Sequence, residues 1–126
     1  MRQPRSLWME LAVEMAAFLA LVSCVSLLWR YNLPLLVLVA VECGAALAAW
    51  HTRLDICFFL VIAVLGSMAE AVFVYFGVWE YANPTLWGVP MWFPLAFGTT
   101  GLIGGRLART MTAFWEQAGP SRDDTP

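Results

Sequence analysis

Residues 66–94 read GSMAEAVFVYFGVWEYANPTLWGVPMWFP, and this stretch decides the fold. It opens inside an apolar segment that carries an acid, Glu70, continues through an aromatic run, turns at Asn83-Pro84 and becomes apolar again at Trp92. Rings with one polar edge prefer the boundary between water and hydrocarbon. An acid, three tryptophans and three prolines around one apolar turn therefore predict a turn at a membrane surface.

The composition of the whole chain agrees with a membrane protein. Hydrophobic residues make up 61% of the 126 residues, charged residues make up 13%, and the mean hydropathy is +0.72. This charge is too sparse to cover the surface of a soluble domain. The net charge of −2, without a basic stripe, argues against nucleic acid as a partner. We expect one transmembrane domain over residues 1–118 and a disordered cytoplasmic tail over 119–126.

Four apolar segments follow one another with short connections between them. They cover about residues 7–28, 33–50, 56–78 and 89–107. At about 1.5 Å per residue, such segments can cross a hydrocarbon core of about 30 Å as helices. Because each short connection returns the chain at once, the sequence predicts an all-α fold, an integral membrane antiparallel bundle of four transmembrane helices.

The arginines orient this predicted bundle. Six of the seven fall on one side, and only Arg30 falls on the other. The six are Arg2, Arg5, Arg53, Arg106, Arg109 and Arg122. By the positive-inside rule both termini face the cytoplasm. All basic residues are arginines, as in GC-rich genomes, so we expect the cytoplasmic (inner) membrane of a bacterium.

Small residues recur at every fourth position in each segment, a spacing that lets membrane helices approach closely. The four stripes are Ala12/Ala16/Ala20, Ala40/Gly44/Ala48, Ala63/Ser67/Ala71 and Gly101/Gly105. They predict helix–helix contacts along these faces.

Two acids within the apolar segments are candidates for function. Glu42 lies near the predicted bilayer midplane, and Glu70 lies nearer the outer side. A carboxyl group there is costly, at about 2.5–3.5 kcal/mol, and normally has a partner or a function. Each acid has two interpretations that the sequence leaves open: a hydrogen bond that joins two helices, or contact with a ligand.

The aromatic residues beside Glu70 also have two interpretations. They form either an aromatic belt at the membrane surface or the mouth of a site that admits a lipid. The candidate ligand-binding residues are Glu42, Glu70, Tyr75, Trp79, Tyr81 and Trp92. No residue is assigned a catalytic role.

Neither the cysteines nor the single histidine forms a metal-binding pattern. Cys24, Cys43 and Cys57 lie in separate apolar segments, and His51 has no second histidine near it. We therefore expect no metal and no cofactor.

Residues 74–84, VYFGVWEYANP, followed by Val89, Trp92, Pro94 and Phe97, resemble a signature of the Insig family. The stretch GLIGGRLA over residues 101–108 is similar to the glycine-rich last helix of that family. Insig proteins are polytopic membrane proteins that bind sterols or other lipids in a central cavity. The resemblance implies a lipid-binding helical bundle here.

A second resemblance is to membrane enzymes of carotenoid biosynthesis, the hydratase and lycopene-cyclase-like groups. Those proteins also pair an intramembrane glutamate with a downstream G-x-Y-x-Y turn and a return bounded by proline. This resemblance implies that Glu70 protonates a polyene double bond as a general acid.

The sequence thus favours a small multi-pass membrane protein that binds a lipid, sterol or isoprenoid in an intramembrane groove lined by Glu42 and Glu70. One alternative is a membrane enzyme of carotenoid or isoprenoid metabolism that uses Glu70. The other is a structural subunit of a larger membrane complex. The expected partners are membrane lipids or an isoprenoid, together with further copies of the chain or a second membrane subunit.

Overall fold

The chain folds into four α-helices and no β-strand over residues 6–119, the part that this computed structural model describes. The helices are α1 (Leu7–Leu28), α2 (Asn32–Ala49), α3 (Arg53–Tyr75) and α4 (Phe93–Ala118). The all-α prediction is therefore confirmed. Residues 1–5 and 120–126 lie outside the described residues, and with them lie Arg2, Arg5, Arg122 and nearly all of the expected tail.

Local signals explain where the helices begin. The Ser6 hydroxyl accepts a hydrogen bond from the amide of Met9 at 3.2 Å and so caps α1. Thr52 and Asp55 form a reciprocal capping box at the start of α3. Pro94 lies in the first turn of α4, where a helix tolerates proline.

Three of the helices, α1, α2 and α3, are long and apolar enough to cross a membrane. Helix α4 does not meet the same limits of apolar length, and its second half carries Arg106 and Arg109. Its bounds also differ from the expected segment 89–107. Residues 89–92 belong to the preceding loop, and the helix continues without a break to Ala118.

Helix α4 is the centre of the fold because it packs against each of the other three helices. Helices α1 and α2 form a hairpin on one side of α4, and α3 packs on another side. Along the α3–α4 contact, Gly105 lies at Phe58 and Gly98 lies at Ala63, so these two helices run in opposite directions.

The buried side chains form two clusters along α4. The first cluster lies near the start of α4 and contains Leu21, Leu35, Val39, Val89, Trp92, Phe93 and Ala96. The second lies further along α4 and contains Ala46, Trp50, Leu102 and Ile103. We call the end of the molecule with the first cluster and the 76–92 loop the loop end, and the opposite end the terminal end.

The small-residue stripes differ in whether they pack against another helix. Gly101 and Gly105 lie against α3, and the stripe on α3 is half-buried. The stripes on α1 and α2 lie on exposed faces of their helices. The spacing alone therefore did not distinguish contact faces from outward faces.

Candidate functional site

The candidate site is centred on Glu70, whose side chain points into the loop end. Glu70 is 8% exposed. Its Oε1 accepts a hydrogen bond from the indole Nε1 of Trp79 at 2.5 Å and a second one from the hydroxyl of Tyr81. Its other oxygen, Oε2, makes no hydrogen bond to any residue in the described range. One carboxyl group thus joins α3 to the loop that follows it.

A helix C-cap places these donors. Gly77 adopts φ +74°, a conformation that favours glycine. Its amide bonds to the Val74 carbonyl at 3.0 Å, and the Val78 amide bonds to the Phe73 carbonyl at 2.9 Å. This pair of bonds is the Schellman motif, which ends a helix and reverses the chain. The reversal brings residues 79 and 81 back to the level of Glu70.

Tyr81 connects the carboxyl group to the buried core. Its ring packs edge-on against Trp92, with 6.2 Å between centroids, and against Phe93 at 6.1 Å. Burial, together with the hydrogen bond to Glu70, raises the pKa of the Tyr81 phenol. The hydroxyl therefore stays protonated and remains a donor across the physiological range.

A tight turn follows in the loop. The amide of Val89 bonds to the Leu86 carbonyl at 2.9 Å, and both central residues, Trp87 and Gly88, have positive φ. These are the features of a type I′ turn. A Cβ on Gly88 would lie 2.3 Å from a methyl group of Val74, so the turn rests directly on α3.

Between this turn and α3 lies an apolar groove of about 590 Å³, which we call the α3 groove. Its lining residues are Ser67, Met68, Ala71, Val72, Thr85, Leu86, Trp87, Val89, Pro90, Met91 and Pro94. None of them is ionisable. The volume lies in the range of about 300–1,000 Å³ that is typical of small-molecule sites.

Two smaller openings flank the α3 groove. One, of about 410 Å³, shares Ala71, Val72 and Trp87 with it and includes Tyr75. The other, of about 310 Å³, lies between α1 and α4 and includes Tyr81 and Trp92.

The structure places the six candidate residues in three groups. Trp79 and Tyr81 both donate hydrogen bonds to Glu70, and Trp92 packs against the Tyr81 ring. Tyr75 is 83% exposed and packs edge-on against Phe76.

Glu42 lies apart on α2. Its Oε1 is buried and has no hydrogen-bond partner in the described part of the chain, and no bond joins it to Glu70 there. Neither acid is among the residues that line the α3 groove. Glu70 instead holds the loop that forms one wall of this groove.

An ionic cluster that was not predicted from the sequence lies at the terminal end. Asp55 is fully buried and accepts hydrogen bonds from the guanidinium groups of both Arg106 and Arg109. The signal for Asp55 was the pattern Thr52-x-x-Asp55 before an apolar run, which is typical of a capping box. The sequence does not show that two arginines of α4 share this carboxylate.

Glu14 on α1 is a second buried acid near the terminal end. It is 1% exposed, and the hydroxyl of Thr110 donates a hydrogen bond to its Oε1 at 2.8 Å. Trp8 packs edge-on against Phe114 nearby, with centroids 4.9 Å apart. These contacts dock α1 on the second half of α4.

Asn83, which the sequence marked only as a turn residue, ties two loops together. Its Nδ2 donates to the carbonyl of Arg30 at 2.5 Å, and its own carbonyl accepts from Asn32 Nδ2 at 2.7 Å. The 76–92 loop is thus fastened to the α1–α2 turn as well as to α3.

Within residues 6–119, no three metal-ligating side chains come together, and all three cysteines are free.

Compared with known proteins, the chain matches no family model, no curated protein and no solved structure.

Proposed function

We propose that this chain is a small multi-pass membrane protein that binds a lipid, sterol or isoprenoid in the α3 groove. The observation that carries the proposal is the groove itself, which is apolar, of small-molecule size and open at the side of an apolar helix. In this proposal Glu70 acts through the loop wall, because it holds Trp79 and Tyr81 in place. The resemblance to the Insig family supports the same ligand class.

In the membrane arrangement that we propose, all four helices cross the bilayer as an antiparallel bundle. Helix α4 is the least apolar, but it has α1, α2 and α3 around it, and its Thr99 and Thr110 are buried among them. Arg53, Arg106 and Arg109 lie at the terminal end, so we place that end in the cytoplasm of a bacterial cell.

Cysteine labelling tests this orientation. Ser6 and Ala82 are exposed at opposite ends of the molecule, so each would be replaced by cysteine in a variant without the three native cysteines. We expect a membrane-impermeant maleimide to label Ala82→Cys in intact cells and Ser6→Cys only after permeabilisation. The reverse pattern would contradict the orientation.

The binding proposal is tested by native mass spectrometry of protein extracted gently from its own membrane, with analysis of the lipid that co-purifies. Ala71 lines the α3 groove, whereas Ala69 on the same helix is exposed and does not line it. We expect Ala71→Trp to fill the groove and lose the bound compound, and Ala69→Trp to retain it. Equal amounts of bulk membrane lipid on all three proteins would exclude the proposal.

A membrane enzyme of carotenoid or isoprenoid metabolism is the second candidate. The observation in its favour is the free Oε2 of buried Glu70, which leaves one oxygen able to carry and transfer a proton. An enzyme would lose turnover of the co-purified compound in Glu70→Gln while it still bound that compound. A binding protein would show no turnover in either form. A structural subunit, the third candidate, would be unstable without its partner.

A further inference from the structure

The polar groups of the α3 groove are few and uncharged. Two lining residues, Ser67 and Thr85, carry a hydroxyl group, and Trp87 carries an indole N–H. The Ser67 hydroxyl oxygen is buried and has no hydrogen-bond partner among the described residues. The Thr85 hydroxyl oxygen accepts from the Met91 amide at 3.2 Å, which leaves its proton free to donate. The groove thus offers one exposed hydroxyl group, that of Thr85, which can donate a hydrogen bond.

The charges around the groove disfavour an anion. No lining residue is basic, and Glu70 lies on α3 between two lining residues, Ser67 and Ala71. Among the described residues, the only basic residue at the loop end is Arg30, which belongs to the α1–α2 turn and lies over the ring of Trp29, 4.7 Å from its centroid. Phosphate and carboxylate groups in proteins are recognised by arginine, lysine or clustered amides. In the α3 groove such a head group would meet no basic side chain among the lining residues.

We infer that the ligand of the α3 groove is an amphiphile with an uncharged, hydrogen-bonding head, and that phosphorylated isoprenoids, phospholipids and fatty acids are excluded. The apolar chain lies between α3 and the turn at Trp87, and the head reaches the exposed hydroxyl group of Thr85. This inference rests on the proposed binding function and narrows its ligand class.

The test compares three probes that share one apolar chain: geranylgeraniol, geranylgeranyl monophosphate and the corresponding carboxylic acid. Each is titrated against the full chain in nanodiscs of neutral phospholipid, and binding is followed by native mass spectrometry. We expect the alcohol to bind at least about tenfold more tightly than either anion, a difference of about 1.4 kcal/mol.

An arginine introduced into the groove wall provides a second, independent test of the preference for an uncharged head. Leu86 lines the groove and is 62% exposed, whereas Val78 is 57% exposed in the same loop and lines none of the three openings. We expect Leu86→Arg to shift the preference toward the phosphate, and Val78→Arg to leave it unchanged. Because both changes add one arginine at an exposed loop position, a general effect of charge would appear in both.

The outcomes separate the inference from the function on which it rests. Equal binding of all three probes, or tighter binding of the phosphate, would overturn the inference and leave the binding function intact. No binding of any probe, with native lipid also absent from the extracted protein, would overturn both. A preference for the alcohol that survives Ala71→Trp would place the site elsewhere and would also overturn the inference.

Discussion

At the scale of single residues, Glu70 has the clearest role, since one carboxyl oxygen receives two hydrogen bonds from the loop after α3. Trp79 is 46% exposed, so water can replace its bond, whereas Tyr81 lies half-buried against Trp92. Removal of the Glu70 carboxyl group therefore destabilises the fold mainly through Tyr81. The hydroxyl of Tyr81 would remain enclosed without a partner.

We predict that Glu70→Ala lowers the free energy of unfolding by about 2 kcal/mol, since a buried donor left unpaired costs about 1–3 kcal/mol. Glu70→Gln should cost less, because the amide oxygen still accepts from Tyr81. Chemical denaturation in detergent micelles measures both. The matched control is Glu80→Ala at an exposed position in the same loop. An equal loss in Glu80→Ala would show that the loss does not come from the Glu70 hydrogen bonds.

Tyr81 carries a prediction about pH. Burial, and then the bond to Glu70, raise its pKa above the ordinary value of about 10. Since the folded state holds this proton more tightly than the unfolded state does, the stability it contributes is complete below about pH 10 and falls as the pH rises above it.

The measurement for Tyr81 is tyrosinate absorbance in an alkaline titration, taken as the difference between the wild type and Tyr81→Phe. We expect the difference signal to emerge at a higher pH in the folded protein than in the denatured protein. Coincident titrations of the two states would contradict the burial and the hydrogen bond together.

At the scale of elements, the contact between α3 and α4 depends on small residues of α4. A Cβ on Gly101 would lie 2.5 Å from the Cβ of Ile62, whereas a Cβ on Gly104 would meet nothing within 4 Å. The two glycines are three residues apart on the same helix, and only one of them faces a neighbour. They therefore form a matched pair for a test of this interface.

We predict that Gly101→Ala destabilises the protein by about 1–3 kcal/mol through overpacking. Gly104→Ala should stabilise it by about 0.5–1 kcal/mol, because alanine is the better helix former. Thermal unfolding in detergent distinguishes the two signs. A gain in stability for both variants would mean that α3 does not pack on this face of α4.

The turn over the α3 groove gives a second prediction at this scale. Gly88 and Gly77 both have positive φ, but only Gly88 lies in close contact, against Val74. Both alanine variants should lose about 1–2 kcal/mol for the backbone conformation. Gly88→Ala should lose more, and the emission of exposed Trp87 should change as the turn lifts from α3. Equal effects of the two variants would argue against the close contact.

At the scale of the whole molecule, α4 connects α3 to the hairpin of α1 and α2. Helix α3 packs mainly against α4, and near the terminal end this contact is closed by the buried carboxylate of Asp55. Arg106 binds both oxygens of Asp55 and also lies over the ring of Trp50 on α2, 5.9 Å from its centroid. This cluster therefore joins α3, α4 and the end of α2.

We predict that Asp55→Asn destabilises the fold more than any single arginine change, by about 3 kcal/mol, because it leaves two guanidinium groups without their counter-charge. Arg106→Gln should cost more than Arg109→Gln, since Arg106 makes two bonds to Asp55 and is the less exposed of the two. Asparagine at position 55 can still accept the hydrogen bond from the Thr52 amide in the capping box. The loss of stability would therefore report the ionic contact. Unfolding in detergent gives the order, and the opposite order of the arginines would contradict the geometry.

The sequence by itself determined the features that depend on residues close together in the chain. Length and apolarity predicted the bounds of α1, α2 and α3 within a few residues, and the alternation of apolar segments with short turns predicted the all-α fold. The contact of Glu70 with Trp79 and Tyr81 could also have been predicted from the sequence. Gly77 follows the end of α3, and a glycine at that position returns the chain to the last turns of the helix.

Only the tertiary structure decided which faces meet. Helices that are apolar on every side carry no periodic signal for their inner face, so the exposed small-residue stripes of α1 and α2 looked the same as the packed stripe of α4. The central place of α4, the burial of Asp55 by two arginines and the α3 groove all depend on contacts between residues far apart in the chain. Such contacts are chosen by the shape and charge of the assembled surfaces, which no local pattern of amino acids contains.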